Sequence, residues 1–170
     1  MKTTIMLAAV ATWLVTVGPA RANPLTEGEA AYRRAQYSVA ANKLLPLARH
    51  GSSQAQALLG FMYEYGRGVI QNAVIAAQLY QCAADQGHPM AQYQLGLMYD
   101  KGHGVPRSAV QAYVLLNLAA ARVRAGEREY YVRIRNAVAA KLNLAQIAEG
   151  QRLASMWAPT PAHCLIIPSH

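Results

Sequence analysis

The residues able to do chemistry are few and badly placed for it. His88 and His103 stand in loops at non-equivalent positions, with no ligand spacing around them. His163 and His170 flank Cys164 near the C-terminus. That is a loose metal-like cluster, but ordering a chain end around an ion costs conformational entropy. The simpler reading is an exposed tail. No Ser-x-x-Lys pair occurs, which removes the usual start of a serine β-lactamase. Nucleophile elbow, P-loop and paired carboxylates are also missing. No catalytic, cofactor-binding or metal-ligating residue is assigned, and no cofactor is expected. Cys82 and Cys164 remain. In an oxidising compartment they could pair and tie the tail to the body. Two unpaired thiols, or a bond between two chains, fit the sequence as well, because only geometry decides whether the α-carbons come within bonding range.

A chain without chemistry must be read through its elements, and these repeat. Residues 51–69 return as residues 87–105 at an offset of 36, with ten of nineteen positions identical. Gly51, Ala55, Gln56, Leu59, Gly60, Met62, Tyr63, Gly66, Gly68 and Val69 recur as Gly87, Ala91, Gln92, Leu95, Gly96, Met98, Tyr99, Gly102, Gly104 and Val105. Ala76, Leu79, Ala83 and Ala84 return as Ala112, Leu115, Ala119 and Ala120, while Ala40, Ala41, Ala48 and Gly51 mark a degenerate earlier unit. A period of this size means stacked supersecondary units. Each unit reads as two helices, 53–65 then 73–86, and 89–101 then 109–122. The apolar stripe Ala55, Leu59, Met62, Tyr63 has helical spacing. Gly66 and Gly102 suit left-handed C-caps, and Asn72 and Ser108 suit N-caps. Gly60 and Gly96 interrupt helices at a cost of about 1 kcal/mol against alanine. Their recurrence predicts a crossing too tight for a methyl group.

The pattern A-x-x-x-L-G-x-x-Y-x-x-G-x-G-V, twice in register and followed by an Ala-rich helix, resembles the Sel-one-like repeat (SLR) family, relatives of the tetratricopeptide repeats. The resemblance implies an all-α, right-handed solenoid of antiparallel helix pairs whose concave face holds a partner protein. It covers a degenerate repeat at 27–51, repeats at 52–87 and 88–123, and a helical cap at 126–157, within a solenoid of residues 23–157. It also implies alternatives. A cysteine-rich exported branch is linked to β-lactam binding or slow hydrolysis, but carries a cysteine pair in each repeat, which this chain lacks. A secreted host-interacting effector is the other alternative.

The flanks complete the expectation. In the first unit Ala31, Ala35 and Val39 suggest one small-residue stripe, and Pro46 predicts a bent or late-starting second helix. Beyond Gly126, Tyr130, Val132, Ile134, Val138 and Leu142 allow a helix, and Asn143 with Gln146 reads as a capping box. Pro159, Pro161 and Pro168 mark a tail over 158–170. At the other end, Lys2, the uncharged run from Ile5 to Val17 and Ala20-Arg21-Ala22 read as a signal peptide over 1–22, cut before Asn23. The run is short for a membrane span, which needs about 20 residues. The protein is therefore expected in the periplasm or the medium, without a stable span after cleavage.

Removing Lys2 and Arg21 takes the formal charge from +8 to +6. Such a balance suits acidic partners more than nucleic acid in that compartment. Arg122, Arg124, Arg128, Arg133, Arg135 and Lys141 could dock an anionic surface, though a solvated helix face reads the same way. The expected partner is another protein, gripped where repeats differ while their frame stays fixed. Such positions are Phe61 and Leu97, Tyr65 and Lys101, Ala57 and Tyr93. Tyr65, Tyr93 and Arg67 are the first candidates, with Phe61 and Lys101 beside them, since aromatics and arginine make the best hot spots. Gly60, Tyr63, Gly66, Gly68 and their copies Gly96, Tyr99, Gly102, Gly104 belong to the frame.

Overall fold

The computed structural model describes residues 23–160. They form helices α1 (Pro24–Arg33), α2 (Tyr37–Arg49), α3 (Ser53–Tyr65), α4 (Ala73–Asp85), α5 (Pro89–Lys101), α6 (Ala109–Arg122), α7 (Ala125–Ala139) and α8 (Leu144–Met156). No strand occurs among the described residues, and the architecture is an all-α solenoid. Each helix packs on the next as far as α7, and α6 receives both α7 and α8.

Most helix starts are fixed by a side chain that accepts from a free N–H. Ser52 Oγ takes the amide of Ala55 at 3.3 Å. His88, 36 residues on, does the same with Nδ1 for Ala91 at 3.3 Å. Asn72 accepts from Val74 and Ile75, both at 3.0 Å, and Ser108 accepts from Gln111. Asn143 and Gln146 close a reciprocal capping box. Gly66 and Gly102 end α3 and α5 at φ 65° and 71°, a conformation a side chain would strain.

The interior glycines are seats. A methyl on Gly60 would stand 2.8 Å from the Tyr80 ring, and one on Gly96 would stand 2.9 Å from Leu116 Cγ. Gly28 makes the same seat for Leu44, at 2.8 Å. Leu44, Tyr80 and Leu116 are themselves 36 residues apart and fully buried. Each pair of helices thus closes on one knob in one glycine notch. The pairs are then joined by the Gly-x-Gly turns. Gly68 lies on the backbone of Tyr37 and Ser38 at the start of α2, and Gly104 on Ala73 at the start of α4. Neither spot has room for a side chain.

Two buried glutamines tie successive units. Gln56 Nε2 donates to the Ala48 carbonyl at 2.9 Å and Gln92 Nε2 to the Ala84 carbonyl at 3.1 Å. Both carbonyls sit in the last turn of a helix, where the backbone lacks its own partner. Gln86 completes the first tie by donating to Gln56 Oε1 at 2.8 Å. Residue 122, its counterpart, is arginine, and its guanidinium stacks on Trp157 at 4.3 Å. Gln92 Oε1 consequently has no hydrogen-bond partner among the described residues.

The first unit departs from expectation twice. Pro46 neither delays nor ends α2, which runs from Tyr37 to Arg49. Asn42 and Pro46 both lie on the exposed side, where water can serve the carbonyl that the proline leaves free. The stripe Ala31, Ala35, Val39 does not form. Ala31 is buried, but Ala35 is the turn residue between α1 and α2 at φ 59°, and Val39 is 47% exposed. The turn is four residues tighter than in later units, as the 16-residue Gly28–Leu44 and 20-residue Gly60–Tyr80 separations show.

Candidate partner-binding face

The first helices of the units, α1, α3, α5 and α7, carry a chain of aromatic rings. At its centre lies a cleft of about 400 Å³ between α3 and α5, lined among others by Glu64, Tyr65, Gln94, Leu97 and Lys101. Tyr65 is 52% exposed there. Tyr80, reaching up from its seat, donates to Glu64 Oε2 at 2.8 Å. Burial and the Glu64 charge hold the Tyr65 phenol above its usual value, so it keeps its proton and offers both a donor and an acceptor. Burial and the same charge act more strongly on Tyr80, which stays protonated. The cleft therefore presents an apolar ring, an amide, a carboxylate and an ammonium within one depression, which suits a peptide better than a small metabolite.

The five residues singled out from the sequence fall into two groups. Phe61, Tyr65, Tyr93 and Lys101 gather at or beside the cleft. The rings of Phe61 and Tyr65 are 4.5 Å apart, and Lys101 lines the cleft with Tyr65. Arg67 faces inward instead. Its guanidinium lies 5.1 Å from the Phe61 ring, 5.7 Å from Tyr37 and 5.8 Å from Tyr32, and donates to the Tyr32 hydroxyl. Three rings, one of them also through its hydroxyl, occupy it, so its first role is to hold the first helix pair against α3. Tyr93 is shared. Its ring packs 4.7 Å from Tyr131, and its hydroxyl meets that of Tyr130 at 2.9 Å. Burial and that bond raise its pKa. It thus braces α7, one residue before the cleft-lining Gln94.

Tyr32, Tyr37, Tyr130 and Tyr131 were not singled out. A signal for Tyr32 existed. Aligned on the seat glycines rather than by 36, Tyr32 follows Gly28 by four residues, as Glu64 follows Gly60 and Asp100 follows Gly96. The tight first turn hides this from a fixed-period count. Nothing in the sequence pointed to Tyr130 and Tyr131, which lie beyond the repeats.

The basic residues are largely engaged. Lys141 pairs with Asp100 at 2.6 Å, Arg135 donates to Asn117 at 3.0 Å, Arg122 covers Trp157 and Arg133 covers Tyr130. Arg124 and Arg128 are exposed. His88 is spent on its cap and on Gln54, at 2.8 Å. No cluster of three or more His, Cys, Asp or Glu able to hold a metal ion occurs among the described residues. No helix among them is long and apolar enough to cross a membrane. Cys82 is buried on α4. Cys164, and with it the Cys82–Cys164 pairing, lies outside the described residues, as do the signal peptide and the cluster with His163 and His170.

Stacked helix pairs with glycine seats and an aromatic inner face define a helical-repeat scaffold. The comparisons name the repeat. The family model described as Sel1 repeat matches residues 53–88 and 89–122. The fold is similar to that of c5321, a protective antigen present in uropathogenic Escherichia coli strains and displaying an SLR fold, with a TM-score of 0.72 and 28% identity over 79% of this chain and 29% of that one. It is also similar to a Sel1 repeat protein from Oxalobacter formigenes, with a TM-score of 0.62 and 29% identity over 79% of this chain and 56% of that one. The chain thus spans less than two thirds of either relative. No curated protein matches the sequence. The chain carries two Sel1 repeats in a fold similar to that of SLR proteins, and Sel1 repeat proteins are protein-interaction scaffolds.

Proposed function

We propose that this protein is an exported, non-enzymatic adaptor that grips a segment of another envelope or secreted protein in the α3–α5 cleft. The observation that carries the reading is Tyr65, half-exposed over a depression edged by Lys101, Leu97 and Gln94. An accessible aromatic ringed by partly exposed polar and apolar side chains is the usual make-up of an interface hot spot. Export rests on the leader pattern of residues 1–22 and on Asn23, the residue after the expected cut, which caps α1 through its side chain at 3.0 Å from the Leu25 amide.

The test is crosslinking in cells of the tagged full chain, followed by fractionation and mass spectrometry. The control carries Tyr65→Ala with Lys101→Ala, because Tyr93→Ala would also loosen α7. One exported protein captured by wild type and lost in the control is the expected result. Equal capture by both would place the partner on another surface. Hydrolysis of a chromogenic β-lactam, abolished by one substitution in the cleft, would replace the adaptor reading with the enzymatic one.

A further inference from the structure

The second helices border another cavity, of about 450 Å³ and different character. Its walls are Ala41 and Leu45 of α2 and Ile75 of α4, over a floor of Leu59 and Tyr63. Ile70, at the rim, is 90% exposed, and Val39 and Val74, next in sequence to the lining residues Ser38 and Ile75, are 47% and 53% exposed. Exposed aliphatic side chains around an apolar cavity mark a place that something covers.

The described chain ends beside that face. Trp157 packs under Arg122 and against Gly87, and the Thr160 amide donates to the Asp85 carbonyl, the last residue of α4, at 2.8 Å. Ten residues follow, Pro161 to His170, with no Lys, Arg, Asp or Glu and with one apolar run, Leu165-Ile166-Ile167. The reach of these residues covers α4. Cys82 is about one turn before Asp85, and Ile75 lies seven residues before Cys82, on the same helix face and about 10 Å away. A fully extended chain would carry Cys164 about 13 Å past Thr160, more than the about 5 Å from Asp85 to Cys82, and Ile167 about 10 Å further on. A segment running antiparallel to α4 therefore has length to spare to pass Cys164 by Cys82 and to bring the apolar run to Ile75, which lines the cavity.

We propose that the C-terminal segment of this chain is the occupant of the α2–α4 cavity, filling it with Leu165, Ile166 and Ile167. Anchoring at Asp85 makes the contact intramolecular, so a short apolar run suffices to keep the cavity filled. A Cys82–Cys164 bond would lock this register, the two thiols passing two electrons and two protons to an external disulfide by exchange. Docking does not require it. The consequence is that the second-helix face closes on the chain itself, which leaves the α3–α5 cleft as the open surface.

The test is nuclear magnetic resonance on the full chain with labelled Ile, Leu and Val methyl groups. Nuclear Overhauser contacts from Ile166 and Ile167 to Leu45 and Ile75 are expected. Ile166→Asp should shift the Leu45, Ile70 and Ile75 methyl signals while the helical circular dichroism stays unchanged. Absence of these contacts in wild type would overturn the proposal. So would contacts seen only between differently labelled chains in a mixed sample, which would make a second copy the occupant, or contacts from methyls of residues 5–17 in their place.

Discussion

A methyl group decides a great deal at the seat glycines. Gly60→Ala gains about 1 kcal/mol of helix propensity but forces a carbon to 2.8 Å from the Tyr80 ring. Overpacking of that kind costs about 1–3 kcal/mol, and Tyr80 is held at both ends, by the seat and by Glu64. We expect Gly60→Ala to be destabilising in urea unfolding. Gly126→Ala should go the other way by up to about 1 kcal/mol, because nothing lies within 4 Å of the added carbon. If both variants unfold at the same midpoint, the seats are not steric. His88 gives a second test at this scale. Its ring caps α5 and burial lowers its pKa below the ordinary 6.5. An unfolded chain then binds more protons than the native one as pH falls through 6.5. The associated stability is full above pH 6.5 and is lost as pH drops toward the lower folded value. His88→Ser, which restores the cap used at Ser52, should flatten the thermal midpoint between pH 7 and pH 5 relative to wild type.

Among the elements, the first pair is the one whose own turn is shortened and lacks the Gly-x-Gly signature, and its join to α3 uses side chains as well as the Gly68 turn. Arg67 spans it with three rings and the Tyr32 hydroxyl. Lysine cannot reproduce a planar cation stacked on several rings. Arg67→Lys should therefore cost about 1–2 kcal/mol and raise amide exchange in α1 and α2 before the rest of the chain. Uniform exchange across all helices would show instead that the array unfolds as one unit and that Arg67 is no local clasp. The same element view explains why the first pair was only half legible. Its second helix keeps the period of 36, through Ala40, Ala41, Leu44 and Ala48, all buried. Its first helix is shifted by the missing four residues, so Gly28 drops out of register although it makes the same seat.

For the whole molecule, the array is closed at one end by α7 and α8, which share α6, and by Trp157 on Arg122. Repeat stacks need such an end, since an unpaired last helix would expose its apolar face. Export makes a prediction at this scale. N-terminal sequencing of the protein recovered from the envelope or medium should begin Asn-Pro-Leu, from Asn23, and recovery starting at Met1 in the cytosol would overturn the export reading. The basic residues also change meaning when the molecule is seen entire. Lys141, Arg135 and Arg122 bind the cap to the repeats, and Arg133 lies over Tyr130 of its own helix, so Arg124, Arg128 and the exposed Arg133 are what remains for an anionic surface.

The amino-acid sequence by itself determined the helices of the two clear repeats, their caps and their glycines. Those features depend on contacts within about 36 residues, and a repeated contact leaves a repeated letter. It also singled out Tyr65 and Lys101, variable positions that line one cleft. Tertiary structure decided the rest. The cage around Arg67, the bracing of Tyr93 by Tyr130 and Tyr131, and the tolerance of Pro46 depend on which side of a helix faces water or a neighbour. Each is made once, across units, and so leaves no period to read.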